Sequence, residues 1–75
     1  MTSNGVAGKI GRRIRTRREA TGVSQSELQR LTGLATEVIS RFENGHNAPS
    51  ASTLMDLSRA LRTSVGYLLG VESAQ

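Results

Sequence analysis

A short polar surface is the part of this sequence best suited to chemistry. At about 100° per residue, a helix over residues 36–43 presents one outward side, which carries Glu37, Ser40, Arg41 and Asn44. These side chains supply an anion, a hydroxyl, a cation and an amide. Such a mixture of donors and acceptors suits the base edges in the major groove of DNA. The same residues also suit an ordinary solvated helix face, so the pattern alone leaves both interpretations open.

No catalytic or metal-binding constellation accompanies this surface in the sequence. The chain has no cysteine, which excludes disulfides, a thiol nucleophile and thiolate zinc sites. The single histidine, His46, has no dense group of carboxylates beside it to complete a metal site. No nucleophile is paired with a base, and the carboxylates are scattered. We therefore expect a protein that is not an enzyme and that needs no metal or cofactor.

The charge of the chain indicates a polyanionic partner. Ten Lys and Arg residues against six Asp and Glu give a net charge of +4, and nine of the ten cations are arginine. A small basic domain indicates nucleic acid first and anionic membrane second. No apolar run approaches the roughly 20 residues that span a bilayer, and no signal peptide follows the basic start. We expect a cytoplasmic protein that binds double-stranded DNA and no membrane.

Five short helices are predicted to position the polar surface, which makes the fold class all-α. A chain of 75 residues forms one domain, and each helix must contribute to a shared core. The helices are predicted at about 7–21, between Ser24 and Gly33, at 36–43, after Ser50, and at 65–69. This gives an arm over residues 1–6, a domain over 7–70 and a tail over 71–75.

Apolar residues at helical spacing define the expected core. The inward positions are predicted to be Ile10, Ile14, Leu28, Leu31, Ile39, Phe42, Leu54, Leu57, Leu61 and Leu68. Gly5, Gly8 and Gly11 recur every third residue, but their spacing matches no phosphate-binding loop. We interpret these glycines as a loose arm and a weak first helical turn.

Two charged residues fall on the apolar faces of their helices. Arg18 follows Ile10 and Ile14 in steps of four, and Glu43 follows Ile39 by the same step. A lone buried charge is severely penalised, and each of these residues would be alone without the other. The sequence therefore predicts a bidentate salt bridge between Arg18 and Glu43, joining the first helix to the end of the third.

Two further groups of residues admit more than one role. The first helix carries four arginines that either form a solvated surface or supply one or two residues that, with Lys9, follow the DNA backbone; they are Arg12, Arg13, Arg15 and Arg17. Near the C-terminus, an apolar cluster exceeds what the local core needs. Its residues Tyr67, Leu69 and Val71 are predicted to contribute to a homodimer interface.

Residues 10–70 resemble the Cro and repressor family of helix-turn-helix domains, which includes phage lambda-like repressors. The markers of the resemblance are Arg18, Ser24, Gln25, Leu28, Gly33, Ile39, Glu43, Asn44, Gly45, Pro49, Ser50, Leu54, Leu57, Leu61, Leu68, Leu69 and Gly70. The resemblance implies a lambda repressor-like fold of five helices. It also implies a transcriptional regulator of bacterial or phage type that is associated with the nucleoid. The expected regulator is a repressor that binds a near-palindromic operator as a homodimer.

The resemblance also implies roles for individual residues. Base edges would be read by Thr36, Glu37, Ser40 and Arg41, with Arg41 suited to guanine and Glu37 to the cytosine amine. Phosphates would be contacted by Gln25, Asn44 and His46. A second function of the same fold is that of an antitoxin or adaptor that mainly binds a protein partner, whose identity the sequence does not give.

Three positions depart from the family pattern. Gln29 stands where a small residue usually separates the second and third helices, so it must bend outward or push them apart. Ala35 replaces the usual capping Ser or Thr of the third helix. Ser58 replaces a small apolar residue in the fourth helix. We expect these changes to affect helix spacing and to leave the fold intact.

Overall fold

The structure, a computed structural model, describes residues 5–72, and five α-helices make up most of them. They are α1 (Val6–Ala20), α2 (Gln25–Thr32), α3 (Thr36–Glu43), α4 (Ala51–Ala60) and α5 (Val65–Leu69). The predicted all-α fold class is confirmed. None of these helices is long and apolar enough to cross a membrane. The helix α1 begins at Val6, inside the predicted arm, while residues 1–4 of the arm and 73–75 of the tail lie outside the described residues.

Serine side chains start three of the helices. The hydroxyls of Ser24, Ser50 and Ser64 each accept a hydrogen bond from the backbone N–H three residues later, at 3.0, 3.2 and 3.0 Å. These bonds satisfy N–H groups that have no partner within the helix. Ala35 provides no such bond to α3. The acidic Glu37 in the first turn of α3 is the favourable charge for that end of the helix dipole.

The core contains ten apolar side chains that all five helices contribute. They are Ile10, Ile14, Leu28, Ile39, Phe42, Leu54, Leu57, Leu61, Tyr67 and Leu68. The prediction for Leu31 is wrong, because 46% of this residue is exposed. Leu31 lies about 60° around α2 from the buried Leu28, beside Ala60 at the edge of α4.

The helices α1 and α3 approach each other closely at Gly11. Gly8 and Gly11 are buried within α1, so their interpretation as a loose arm and weak first turn is wrong. A Cβ atom on Gly11 would overlap the carbonyl oxygen of Phe42 and lie 3.0 Å from that of Glu43. The absence of a side chain at Gly11 therefore sets the distance between α1 and the C-terminal end of α3.

The departures at Gln29 and Ser58 are accommodated without distorting the fold. Gln29 is exposed and points away from the contact between α2 and α3. Ser58 is 7% exposed, and its hydroxyl donates to the carbonyl of Met55 at 2.8 Å. A hydroxyl that bonds to its own helix can be buried at little cost.

Several α1 arginines contact other parts of the chain instead of forming a purely solvated surface. Arg17 donates from Nε to the carbonyl of Leu61 at 2.9 Å and from Nη2 to that of Arg62 at 2.7 Å. These are carbonyls at the end of α4, where a cation is favourable. Arg13 lies over the ring of Tyr67, 4.9 Å from its centroid.

Candidate nucleic-acid interface

The helix α3 is held with one face in the core and the other face outward. Ile39, Phe42 and Glu43 are buried, while Glu37 and Arg41 on the opposite side are exposed. Since α3 has only eight residues, it depends on this packing for its stability. The packing thus presents a short, fixed helix whose outer surface is polar.

A tight turn ends α3 and places His46 beside it. Gly45 has φ +78°, a left-handed conformation that favours glycine. Its N–H donates to the carbonyl of Phe42 at 3.0 Å, and the N–H of His46 donates to that of Arg41 at 2.9 Å. These two bonds satisfy carbonyls at the end of the helix and fix the chain that follows.

Seven side chains from two helices and this turn line one open, shallow depression of about 510 Å³. They are Gln25, Thr36, Glu37, Ser40, Arg41, Asn44 and His46. These are the seven residues predicted to contact DNA, and the structure brings them together on one side of the domain. The depression holds donors and acceptors of both charges, which suits hydrogen bonding to base edges and to phosphates.

Arg41 is oriented by a residue that the sequence analysis did not identify. Its Nε donates to Oδ1 of Asn47 at 2.8 Å, across the turn that follows α3. Within residues 5–72, the two terminal guanidinium nitrogens of Arg41 make no hydrogen bond. Those nitrogens form the fork that matches O6 and N7 of guanine. Asn47 lies six residues after Arg41, beyond the end of α3, so helical spacing did not predict this contact.

Asn44 and Ser40 lie next to each other on the outer side of α3. Nδ2 of Asn44 donates to the hydroxyl oxygen of Ser40 at 3.3 Å. The bond leaves the carbonyl oxygen of Asn44 and the hydrogen of the Ser40 hydroxyl available to a ligand. The bond holds both side chains in place, and each of them presents a free hydrogen-bonding group to the depression.

A buried network beneath the depression centres on Glu43, whose side chain is fully buried. Arg18 donates from Nε to Oε2 at 2.6 Å and from Nη2 to Oε1 at 3.1 Å. Oε1 also accepts from Nε of Arg15 at 3.3 Å and from Nε2 of Gln25 at 3.1 Å. Arg18 additionally donates from Nη1 to the carbonyl of Val23 at 2.9 Å. The network thus joins α1, the start of α2 and the end of α3.

Glu43 stays ionised because its partners outweigh the cost of burial. Burial alone would raise the pKa of this carboxyl, but hydrogen bonds from Arg18, Gln25 and Arg15 and the charge of Arg18 lower it below its ordinary value. The hydrogen bond with Glu43 raises the pKa of Arg18. Two arginines face one glutamate, so the network carries a net positive charge beside the depression.

Gln25 occupies a position between this network and the depression. One hydrogen of its Nε2 is used by Glu43, and an amide nitrogen carries two. The second hydrogen is the one that a phosphate oxygen would accept. Because Gln25 is also the first residue of α2, a phosphate there would meet the positive end of the helix dipole.

The C-terminal residues predicted at a dimer interface differ in exposure. Tyr67 is 6% exposed, so its ring belongs to the core and little of it is left for a second chain. Leu69 is 37% exposed and Val71 76% exposed. Of the predicted interface residues, only Leu69 and Val71 thus retain an apolar surface to bury.

The chain is similar to known regulators along most of its length. The helix-turn-helix family matches residues 14–68. An uncharacterized transcriptional regulator in the ATPase CF(0) region of Rhodospirillum rubrum is 36% identical over 66 residues, which cover 88% of this chain and 61% of the relative. Repressor protein C2 of Salmonella phage P22 is 35% identical over 66 residues, which cover 88% of this chain and 31% of that protein. The chain therefore spans about a third to three-fifths of these two relatives.

Solved structures share the fold. The P22 c2 repressor in complex with a synthetic operator has a TM-score of 0.78 at 35% identity, covering 84% of this chain and 96% of that one. The restriction-modification controller protein C.AhdI of Aeromonas hydrophila also has a TM-score of 0.78, at 32% identity, covering 83% and 94%. With the match over residues 14–68, these findings establish that this chain belongs to the helix-turn-helix family, of the Cro and repressor type.

Proposed function

We propose that this protein is a transcriptional repressor that binds a specific double-stranded DNA operator through α3. The observation that carries the proposal is that side chains from α2, α3 and the turn after α3 line one and the same depression. Its polar groups are held in place by Asn47, Glu43 and the end of α3. The repressor role draws on the similarity to the P22 C2 repressor.

In this proposal, α3 lies in the major groove and Arg41 reads guanine. The fork of Arg41 donates to O6 and N7, while Glu37 accepts from a cytosine amine. Thr36 and Ser40 read neighbouring bases through their hydroxyls. Exposure of Glu37 and Arg41, with no ion pair between them among residues 5–72, supports these roles.

Gln25, Asn44 and His46 contact the phosphates on either side of the groove. They lie at the edges of α3, at the start of α2 and in the turn after α3. Contacts of this kind fix the register of the protein on DNA and carry no sequence information. The positive charge of the Arg15, Arg18 and Glu43 network supports phosphate binding nearby.

We propose further that two copies bind one near-palindromic operator. One α3 covers only a few base pairs, too few to define a site in a genome. Two copies related by a two-fold axis place their recognition helices about 34 Å apart, one turn of DNA. The exposed apolar residues Leu69 and Val71 are proposed to contribute to the contact between the copies.

The dependence of affinity on salt tests whether the chain binds DNA through phosphate contacts. A duplex is first selected from a random library and its affinity is then measured by fluorescence anisotropy. If a dimer neutralises about six phosphates, affinity falls roughly a thousandfold between about 50 and 200 mM salt. Sedimentation of the complex should show two chains per duplex. An affinity that hardly changes with salt, or one chain per duplex, contradicts the corresponding part of the proposal.

A further inference from the structure

A second concave surface lies on a different part of the domain. This surface, the Leu31 groove, has a volume of about 660 Å³ and lies where the end of α1, the end of α2 and the end of α4 meet. Its apolar floor is formed by Val23, Leu31 and Ala60, and its rim carries Arg17, Arg59 and Arg62. The groove thus combines an apolar floor with basic edges.

Leu31 is the exposed apolar residue of this groove. It is 46% exposed, and Val23 and Ala60 beside it are only half-buried. Scattered exposed leucines are ordinary on protein surfaces. Here the exposed leucine lies in a concavity with two other apolar side chains, so another apolar side chain could cover all three at once.

The rim of the groove has a positive charge. Arg59 pairs with Asp56 at 2.7 Å, and Arg17 donates to backbone carbonyls, which leaves its charge uncompensated. Arg62 is exposed and has no acidic partner within residues 5–72. Three cations and one anion therefore surround the apolar floor, which favours an acidic ligand.

Arg62 has a backbone conformation that is unusual for a residue with a side chain. Arg62 has φ +56° and is the only residue other than glycine with a positive φ in the described part of the chain. The other positions of this kind are Gly22, Gly33, Gly45 and Gly70. A residue with a side chain is strained in this conformation, whereas glycine is not. Glycine would fit this backbone without strain, but it would supply no guanidinium at the rim of the groove.

The groove is separate from the depression at α3. The two surfaces share no lining residue. Along α2, Leu31 is six residues beyond Gln25, which is about 9 Å along the helix axis and about 120° around it. A ligand in the groove therefore leaves the DNA-facing side accessible.

We propose that the Leu31 groove binds an acidic segment of another protein that inserts an apolar side chain between Val23, Leu31 and Ala60. The basic rim contacts the carboxylates that flank this side chain. Such binding is independent of the operator, so the protein could hold a partner while it is bound to DNA.

A helical peptide of twelve residues, with leucine on one face and glutamate elsewhere, is the probe. It is titrated into the full 75-residue chain labelled with ¹⁵N. We expect amide shifts confined to the ends of α1, α2 and α4. Leu31→Ser should weaken binding of the peptide by about tenfold, the size expected of a central contact. Arg62→Gly removes a charge at the rim and should weaken binding by about threefold to fivefold. A peptide in which lysine replaces glutamate should not bind.

Matched variants elsewhere on the surface distinguish binding in the groove from non-specific attraction of the acidic peptide to a basic protein. Met55 is 50% exposed and outside the groove, and Arg12 is an exposed arginine of α1. Met55→Ser and Arg12→Ala should change the affinity for the peptide by less than about twofold. The proposal is overturned by equal losses in these controls, by equal binding of the lysine peptide, or by shifts around α3. It is also overturned if Leu31→Ser converts a dimer of the free chain to monomers, because a second copy would then be the occupant.

Discussion

Gly11 of α1 lies directly against the carbonyl oxygen of Phe42 near the end of α3. The contact is so close that a Cβ atom on Gly11 would overlap this oxygen. Because the obstacle is backbone, it cannot move aside as a flexible side chain would. The position of α3, and with it the depression lined by the proposed DNA contacts, therefore depends on a glycine in the neighbouring helix.

The first prediction is that Gly11→Ala destabilises the domain. The added Cβ atom pushes α1 away from α3, and such overpacking costs about 1–3 kcal/mol. Gly66→Ala is the control, because a Cβ atom there meets only the side chain of Glu72. We expect that control to change the free energy of unfolding by less than about 1 kcal/mol. Urea melts of both variants give the comparison, and equal effects would contradict the steric explanation.

The second prediction concerns the buried pair of Arg18 and Glu43. Arg18→Met or Glu43→Leu should each cost about 3–5 kcal/mol, because each leaves the partner buried without its counter-charge. The double variant should cost less than the two single costs combined, since both desolvation penalties are removed. Denaturant melts of the three variants measure this coupling. Additive effects below about 1 kcal/mol would mean that the pair contributes as little as an exposed one.

The third prediction is a loss of stability in acid. The pKa of Glu43 is lower in the folded chain than in the unfolded chain, where it is about 4.3. Between the two pKa values the unfolded state therefore binds more protons than the folded state. The contribution of Glu43 to stability is complete above the unfolded pKa and is lost as pH falls through the folded pKa.

Urea melts between about pH 3 and 7 measure this decline. Glu27→Gln is the control, because Glu27 forms an exposed pair with Arg30 that solvent screens. The Glu27→Gln variant should lose nearly as much stability in acid as the original chain. If Glu27→Gln removes it instead, Glu43 is not its source.

The sequence predicted helix positions well because local patterns encode them. Apolar spacing and serine caps depend on residues close in the chain, so α2 to α5 begin where they were predicted. Contacts between distant segments had no such pattern. Arg17 binds carbonyls 44 and 45 residues away. Likewise, Leu31 lies three residues after the buried Leu28 and was predicted to be buried, but no other helix within residues 5–72 packs over it.

The depression itself followed the sequence closely. Its residues fall on the outer side of one short helix and at its two edges, so helical period and the family resemblance were sufficient to locate them. The groups that hold these residues in place could not be predicted from the sequence. Asn47 contacts Arg41 across a turn, and Gln25 bonds to Glu43 as well as facing the depression. Both contacts depend on tertiary packing.

The fourth prediction is that Asn47 acts through Arg41. Asn47→Ala should weaken operator binding by less than Arg41→Ala, because the guanidinium loses the hydrogen bond that orients it but keeps the fork proposed to contact guanine. The double variant should bind no more weakly than Arg41→Ala alone. Anisotropy titrations of the three variants at one salt concentration measure this coupling. Additive losses would show that Asn47 contacts DNA independently.

The reading of sequence by Arg41 is tested most directly by affinities for the selected operator and for a scrambled duplex at equal salt. Arg41→Ala should lose about 1–3 kcal/mol on the operator and little on the scrambled duplex. Gln25→Ala removes a proposed phosphate contact and should weaken binding to both duplexes nearly equally. If Arg41→Ala instead lowers the affinity for both duplexes equally while Gln25→Ala lowers only the affinity for the operator, the claim that Arg41 on α3 reads the base sequence is wrong.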